Sequence, residues 1–217
     1  LKTRYRATGQ QILRVDDEVT SAIDSGAQQT LCETVNSIIA SANMLVLSDY
    51  AKGCLPAKLV RQLISAAKAA KKLIAADPKV ADLSVYADVD ILTPNLQELS
   101  ISAGTNLTEL DTIGATATRL AKTHNIGTIV TTLSARGILA SSADGTKFYD
   151  PARTRDVFDV SGAGDAVIAT AALALAQKLD HQNLAQLANL AGGLSCEKVG
   201  VNPIDRQNLL NEAIRLI

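Results

Sequence analysis

The sequence predicts an α/β protein with a mostly parallel sheet, and three observations support this fold class. Short apolar runs with strand character alternate with longer runs whose apolar residues recur at helical spacing, which is typical of repeated βα units. Hydrophobic residues make up 47% of the 217 residues but aromatic residues only 3%, so small aliphatic side chains are expected to pack helices on a sheet. The length is that of one ordinary domain with a single core.

The first part of the chain predicts a hairpin followed by alternating helices and strands. The hairpin comprises two alternating runs, 2–7 and 11–15, around Thr8-Gly9-Gln10. The elements predicted after it are, in order, a helix 28–42, a strand 44–47, a helix 56–72, a strand 73–76, a strand 90–92, a helix opening at Pro94-Asn95, a helix 108–124 and a strand 128–132. Repeated βα winding therefore follows the hairpin.

The last part of the chain predicts two antiparallel strands and then only helices. Ala143-Asp144-Gly145-Thr146 is a turn signal between the runs 137–142 and 147–150, so the sheet should gain antiparallel strands there. After Val160 the spacing is helical throughout, and the predicted helices are near 163–178, 182–199 and 205–216.

Composition and charge exclude several classes of function. The net charge is −1 with acids and bases interspersed, so we expect no nucleic-acid partner. Cys32, Cys54 and Cys196 lack metal-ligand spacing and are expected to be reduced core thiols. No apolar run approaches the roughly 20 residues that span a bilayer, and no signal-peptide pattern is present, so we expect no membrane partner and a cytoplasmic location. The chain begins at Leu1 in what reads as the middle of a strand, and an N-terminally incomplete fragment is expected.

One short motif carries most of the functional argument. Asp159–Asp165, with the letters DVSGAGD, lies just ahead of an apolar helix at 166–176. Small residues at a helix N-terminus leave backbone N–H groups that can bind an anion. Phosphoryl transfer needs such a group of donors and a carboxylate that accepts the proton of the attacking hydroxyl, and Asp165 is placed for that task. The alternative is an aspartate that merely complements the helix dipole, which is worth about 0.3–1 kcal/mol.

Asp159–Asp165 resembles the second signature of the ribokinase, or phosphofructokinase B, family, and the resemblance covers nearly the whole chain. Neither a Walker loop nor the Rossmann glycine pattern is present, which disfavours a P-loop enzyme. The resemblance implies a ribokinase-like three-layer α/β/α sandwich, in which 1–18 is the remnant of a β lid with its return strand and 19–217 is the nucleotide-binding domain. It implies that Asp165 is the catalytic base and that the amides of Gly162, Ala163 and Gly164 form the anion hole.

Two further stretches match the same family in the expected order. Thr93–Glu98 resembles its Asn-x-x-Glu element, which implies that Asn95 and Glu98 hold Mg²⁺ through water. The alternative is ordinary capping by Asn95 with Glu98 in the first helical turn. Thr132–Gly137 resembles the family's Thr-x-Gly/Ser-x-x-Gly turn. The residues of that turn implied to contact the phosphates of ATP are Thr132, Ser134 and Gly137.

The resemblance also implies several peripheral contacts. Asn189 would reach the adenine side of ATP, although a solvated helix position is the alternative. Asp159 and Ser161, with carbonyl groups near 195–200, match the place where related enzymes hold a monovalent cation, K⁺. Lys52 and Lys79 could meet an anionic substrate, but a single lysine is more often a solvated charge.

Four stretches indicate a branch within the family. Leu47–Gly53, Asp77–Lys79, Thr93–Glu98 and Glu197–Val201 together resemble bacterial heptose 7-phosphate kinases of lipopolysaccharide-core synthesis. This implies ATP- and Mg²⁺-dependent phosphorylation of D-glycero-β-D-manno-heptose 7-phosphate at its anomeric hydroxyl. A homodimer is a further expectation.

Part of the family's pattern does not occur in these residues. The first glycine-rich signature and the strands that grip the sugar hydroxyls are both missing. Two alternatives therefore stay open. One is another ribokinase-type kinase acting on a fructose phosphate, a pentose or a nucleoside, and the other is a catalytically incomplete nucleotide-binding module without the acceptor half.

Overall fold

The chain folds around a six-stranded sheet, with a separate two-stranded hairpin at its start. The structure is a computed structural model that describes residues 2–7, 10–153 and 157–215. The strands are β1 (Lys2–Ala7), β2 (Gln10–Asp16), β3 (Met44–Ser48), β4 (Leu73–Asp77), β5 (Ile91–Leu92), β6 (Thr128–Thr132), β7 (Ile138–Ser142) and β8 (Lys147–Asp150). β1 and β2 pair in antiparallel fashion, as the alternating runs predict.

The main sheet has the order β3-β4-β5-β6-β7-β8. Strands β3 to β6 are parallel, and β7 and β8 add to the edge as antiparallel strands. The predicted mixed sheet is therefore confirmed. Short crossovers between adjacent parallel strands bring the loops after β3, β4, β5 and β6 to one edge of the sheet.

Helices cover both faces of this sheet. They are α1 (Ser25–Ile38), α2 (Ala57–Ala69), α3 (Leu96–Ala103), α4 (Leu110–Thr123), α5 (Ala163–Ala176), α6 (His181–Ser195) and α7 (Arg206–Ile214), with 3₁₀ turns at Ile39–Ser41, Leu83–Tyr86 and Ser134–Arg136. Leu63 of α2 and Ile113 of α4 belong to the core on one face, while Val167 of α5 and Ala188 of α6 belong to the core on the other. This is the three-layer α/β/α sandwich that the resemblance implies.

Two predicted helix boundaries were wrong for identifiable reasons. Helix α1 begins at Ser25 rather than at 28 because the side chain of Asp24 accepts a hydrogen bond from the Ala27 amide and caps it. Helix α6 ends at Ser195 rather than at 199. There the chain turns toward Asp159, whose Oδ2 accepts from the Gly200 amide at 3.0 Å, and Gly200 has a φ of 85°. A distant partner thus sets the end of α6.

None of the helices in the described ranges is long and apolar enough to cross a membrane.

Candidate active site

The carboxyl edge of the parallel strands gathers most of the predicted residues. Helix α5 packs against β3 and β4, and α3 begins just after β5. Asn95 forms an isolated parallel bridge with Thr132, so two of the sequence motifs lie side by side. Ligands of open α/β sheets bind at this edge because the loops there are free to diverge.

The N-terminus of α5 is uncapped. Its N-cap residue is Gly162, with φ 86° and ψ 0°, and no side chain in the described ranges caps the first turn. The amides of Gly164 and Asp165 have no acceptor among the described residues. A Cβ added to Gly164 would meet nothing within 4 Å, so packing does not explain this glycine. The N-terminus therefore offers bare N–H groups at the positive end of a helix dipole, as an anion site requires.

Asp165, the third residue of α5, is half-buried. Its side chain forms a hydrogen bond with a residue outside α5. Its Oδ1 accepts a hydrogen bond of 2.6 Å from the hydroxyl of Tyr50, in the loop after β3. That hydrogen bond is the main cause that raises the pKa of Tyr50, with burial second. Tyr50 lies within the stretch Leu47–Gly53, but the sequence pattern predicts no role for it. The available signal was a polar residue just after the apolar run of β3.

Asn95 and Glu98 form a complete capping box at the start of α3. Asn95 Oδ1 accepts from the Glu98 amide at 2.9 Å, and Glu98 Oε2 accepts from the Asn95 amide at 2.8 Å. The structure therefore contains the capping interactions that the alternative interpretation predicts. They leave Glu98 Oε1 outside the box, so capping and a metal role do not exclude each other.

Glu98 Oε1, the oxygen outside the capping box, belongs to a cluster with Asp77 and Lys79. The Lys79 ammonium lies 2.9 Å from Glu98 Oε1 and 3.2 Å from Asp77 Oδ2. Burial raises the pKa of Asp77 above its ordinary range, although Lys79 opposes that shift. Burial disfavours the charged Lys79, but the two carboxylates outweigh it and raise its pKa. The interpretation of Lys79 as a solvated charge was wrong.

These donors fit Mg²⁺ held partly through water. Two carboxylates already share one cation, the Lys79 ammonium, which identifies a place of concentrated negative charge. Mg²⁺ commonly uses one or two carboxylates and takes its other ligands from water and phosphate. No group of three His, Cys, Asp or Glu side chains within the described ranges could hold a metal. The metal role of Asn95 and Glu98 stays a prediction.

The turn after β6 has its own structural requirements. Gly137 has a φ of 99°, and a Cβ there would lie 2.1 Å from the Asp150 carbonyl oxygen, so only glycine fits. Ser134 is exposed with a φ of 54°. A groove of about 800 Å³ borders this turn and is lined by Asn95, Leu96, Gln97, Ser100, Ile101, Gly104, Thr105, Asn106, Leu107 and Ser134. Nucleotide contacts by Thr132, Ser134 and Gly137 remain predictions.

Asn189 is half-buried and hydrogen-bonded, so its interpretation as a solvated residue was wrong. Its Nδ2 donates to Asp150 Oδ2 at 2.6 Å and to the Pro151 carbonyl at 3.0 Å. The buried Asp150 carboxylate also pairs with Arg153. Asn189 therefore ties α6 to the end of β8, and its contact with adenine stays a prediction.

Asp159 joins the motif to the segment after α6. Its Oδ1 accepts from the Ser161 amide at 3.0 Å, and its Oδ2 accepts from the Gly200 amide at 3.0 Å. The Phe158 amide donates to the Cys196 carbonyl at 2.9 Å. The structure thus brings together the two segments implied to hold a monovalent cation, while the cation itself stays a prediction.

Solved structures with the same architecture include two sugar kinases. The phosphofructokinase-2 of Escherichia coli in complex with potassium superposes with a TM-score of 0.86 and 21% identity over 99% of this chain and 69% of that one. The ribokinase of Arabidopsis thaliana complexed with ribose and ATP superposes with a TM-score of 0.72 and 23% identity over 83% of this chain and 59% of that one. At these identities the likeness establishes the fold.

Sequence comparison is more specific. The bifunctional protein HldE of Paramagnetospirillum magneticum is 38% identical over 92% of this chain, and that of Koribacter versatilis is 39% identical over 97%. The chain spans 41% and 43% of the lengths of these two relatives. The family described as pfkB family carbohydrate kinase matches residues 3–207. The chain therefore belongs to the pfkB family of carbohydrate kinases.

Proposed function

We propose that this chain is the nucleotide-binding part of a kinase that transfers phosphate from ATP to a sugar phosphate. The observation that carries the proposal is the uncapped N-terminus of α5 with the carboxylate of Asp165 in its first turn. Bare amides stabilise negative charge on a transferred phosphoryl group, and a carboxylate beside them can accept a proton.

D-glycero-β-D-manno-heptose 7-phosphate, phosphorylated at the anomeric hydroxyl for lipopolysaccharide-core precursors, is the acceptor we propose. Its support is the resemblance carried by Leu47–Gly53, Asp77–Lys79 and Glu197–Val201, together with relatives that share the name bifunctional protein HldE. We further propose a cytoplasmic protein, with a homodimer as its assembly.

In the proposed reaction the chain's own residues orient the reactants and move one proton. The acceptor hydroxyl loses its proton to Asp165 as its oxygen bonds to the γ-phosphorus, and the bond between that phosphorus and the ADP oxygen breaks. Amides of Gly162, Ala163 and Gly164 donate to the phosphoryl oxygens, and to do so the Ala163 amide exchanges its 3.3 Å hydrogen bond to the Val160 carbonyl for one to phosphate. Asn95 and Glu98 would hold Mg²⁺ through water, and the ion would supply positive charge that neutralises the phosphates.

Further contacts complete the proposed site. The phosphates of ATP contact Thr132, Ser134 and Gly137. The adenine lies on the side of Asn189. Asp159 and Ser161 would hold K⁺ with carbonyl groups near 195–200, and a phosphofructokinase-2 of the same fold has been solved in complex with potassium.

Nucleotide binding can be tested on this chain directly. ATP with Mg²⁺ should raise the melting temperature, because a ligand that binds only the folded state at 100 times its Kd adds about 2.7 kcal/mol of stability. GMP and inorganic sulfate serve as controls for general anion binding. A folded protein whose melting temperature does not move with saturating ATP would contradict the anion site.

The acceptor requires kinetics on the full-length protein. We expect kcat/KM to be highest for heptose 7-phosphate when it is compared with fructose 6-phosphate, ribose and a nucleoside. A higher value for one of the other acceptors would place the protein in a different branch of the family. Binding of ATP without turnover of any acceptor would favour the nucleotide-binding module.

A further inference from the structure

A tyrosine far away in the sequence contacts the proposed base. The Tyr50 hydroxyl donates to Asp165 Oδ1 at 2.6 Å across a separation of 115 residues. This is the length expected for a hydroxyl that donates to an ionised carboxylate, a class of hydrogen bond roughly twice as strong as a neutral one. It is the one side-chain hydrogen bond of Asp165 within the described residues.

The loop that carries Tyr50 is anchored in the core on both sides of the tyrosine. Asp49 is 4% exposed, and its two carboxylate oxygens accept from the Tyr86 hydroxyl at 2.6 Å and from the Ala51 amide at 2.8 Å. Further along, a Cβ on Gly53 would lie 2.0 Å from the Ser21 carbonyl oxygen. Tyr50 is 54% exposed, but its backbone is held in place.

The electrostatics keep Tyr50 as a proton donor. Its pKa is raised first by the hydrogen bond to Asp165 and then by burial, while the charges of Asp165 and Asp77 act in the same direction and Ser48 opposes them. A phenol with a raised pKa stays protonated across the neutral range. Tyr50 can therefore bind a carboxylate oxygen but does not compete with Asp165 as a base.

We propose that Tyr50 is a positioning residue for Asp165, holding Oδ1 so that Oδ2 is the oxygen that takes the proton of the acceptor hydroxyl. The inference rests on the proposed function and assigns the two carboxylate oxygens to different tasks. One oxygen that is already bound restricts rotation of the carboxylate, and such orientation of a reacting group can supply a large share of a rate enhancement. When Oδ2 gains the proton, Tyr50 still binds Oδ1.

The contact can be tested without activity, by titrating the tyrosines of this chain labelled with ¹³C at Cζ. Tyr50→Phe assigns the Tyr50 signal. We expect that signal to titrate above the ordinary value of about 10 and to move down in Asp165→Asn, since an amide carries no charge. A Tyr50 titration that is the same with Asp165 and with Asn at position 165 would overturn the proposal.

The role can be tested by a double-mutant cycle on the full-length enzyme. Tyr50→Phe should lower kcat about 10-fold to 100-fold and leave the Kd of ATP unchanged, and it should cause no further loss in an Asp165→Asn background. Tyr5→Phe is the matched control, because Tyr5 is 55% exposed on β1 and belongs to none of the loops that form the proposed site. Losses that multiply would show that Tyr50 acts independently and overturn the proposal.

These two tests separate the inference from the proposed function. If Asp165→Asn by itself leaves kcat unchanged, the proposed function fails while the titration still reports the contact. If Asp165→Asn abolishes turnover and Tyr50→Phe leaves kcat unchanged, the proposed function stands and the positioning role is wrong.

Discussion

Two helices begin at the same edge of the sheet, and their N-termini are built in opposite ways. The N-terminus of α3 is capped by side chains. The Asn95 side chain accepts a hydrogen bond from the Glu98 amide, and the Glu98 side chain accepts one from the Asn95 amide. Helix α5 begins at Ala163, after the N-cap residue Gly162, and none of the side chains that the structure describes caps it. An N-cap side chain stabilises a helix by about 1 kcal/mol. Helix α3 has this stabilisation and α5 does not.

The difference gives the two ends opposite electrostatic character. The start of α3 presents carboxylates, since Glu98 and the buried Asp77 share the Lys79 ammonium. The start of α5 presents amides and the positive end of a dipole. A nucleotide with its Mg²⁺ needs both, because carboxylates attract the cation and amides attract the phosphates. We infer that the uncapped end of α5 is kept open for a ligand.

The largest expected effect is on the α5 side. Asp165→Asn should lower kcat of the full-length protein by about 10² to 10⁴, the usual worth of a positioned base, and leave the Kd of ATP nearly unchanged. Asparagine has the same size and keeps the helix start. Steady-state kinetics with an ATP titration measures both quantities. The control is Asp180→Asn, which changes a helix cap on α6, and a loss of less than about tenfold would assign proton removal to another residue.

The second effect is on stability at the α3 side. Lys79→Met should lower the free energy of unfolding by about 1–3 kcal/mol at neutral pH, because it leaves two carboxylates without their cation. Burial already raises the pKa of Asp77, and losing Lys79 raises it further. A carboxyl whose folded pKa is raised loses stability as pH rises through that pKa, so the deficit should shrink toward pH 4 and be largest at neutral pH.

Urea unfolding at both pH values measures that deficit. Lys52→Met is the matched control, because Lys52 pairs with Glu18 in an exposed setting and should lose at most about 1 kcal/mol. Equal deficits at both pH values would contradict the role of Asp77 ionisation.

The third effect separates capping from metal binding in α3. Glu98→Gln keeps an acceptor for the Asn95 amide but removes the charge, so affinity for ATP with Mg²⁺ should fall about tenfold while affinity for metal-free ATP changes less. Calorimetry with and without the metal measures the difference. Glu109→Gln, at the start of α4, is the control, and equal losses in both conditions would leave Glu98 with capping alone.

The smallest effect tests why α5 has a glycine in its first turn. Gly164→Ala should raise stability by up to about 1 kcal/mol, since alanine favours helix and the new methyl meets nothing. The same methyl should weaken ATP binding. Gly114→Ala in α4, where the methyl meets the flexible Lys147 side chain at 3.0 Å and the Leu139 side chain at 3.4 Å, should leave ATP affinity unchanged. A Gly164→Ala protein that binds ATP as tightly as before would contradict the anion site.

Elements with strong local signals were predictable from the sequence. The runs at β3, β4 and β6 were predicted to within a residue, because each is a short run of apolar or β-branched residues; β4 and β6 are mostly buried, whereas in β3 only Leu47 is. Helix ends were harder to predict. The end of α6 depends on Asp159, which lies 41 residues from Gly200, and no local pattern contains that information.

For the site, the sequence by itself determined which residues meet within one turn of chain. The Asn95–Glu98 box and the glycine turn before Asp165 follow from local spacing, because residues three or four apart in a helix are neighbours. Only the tertiary structure decided which distant groups meet: Tyr50 with Asp165, and Lys79 with both Asp77 and Glu98. The physical reason is that hydrogen bonds and ion pairs between separate loops depend on the packing of the strands and helices that carry them.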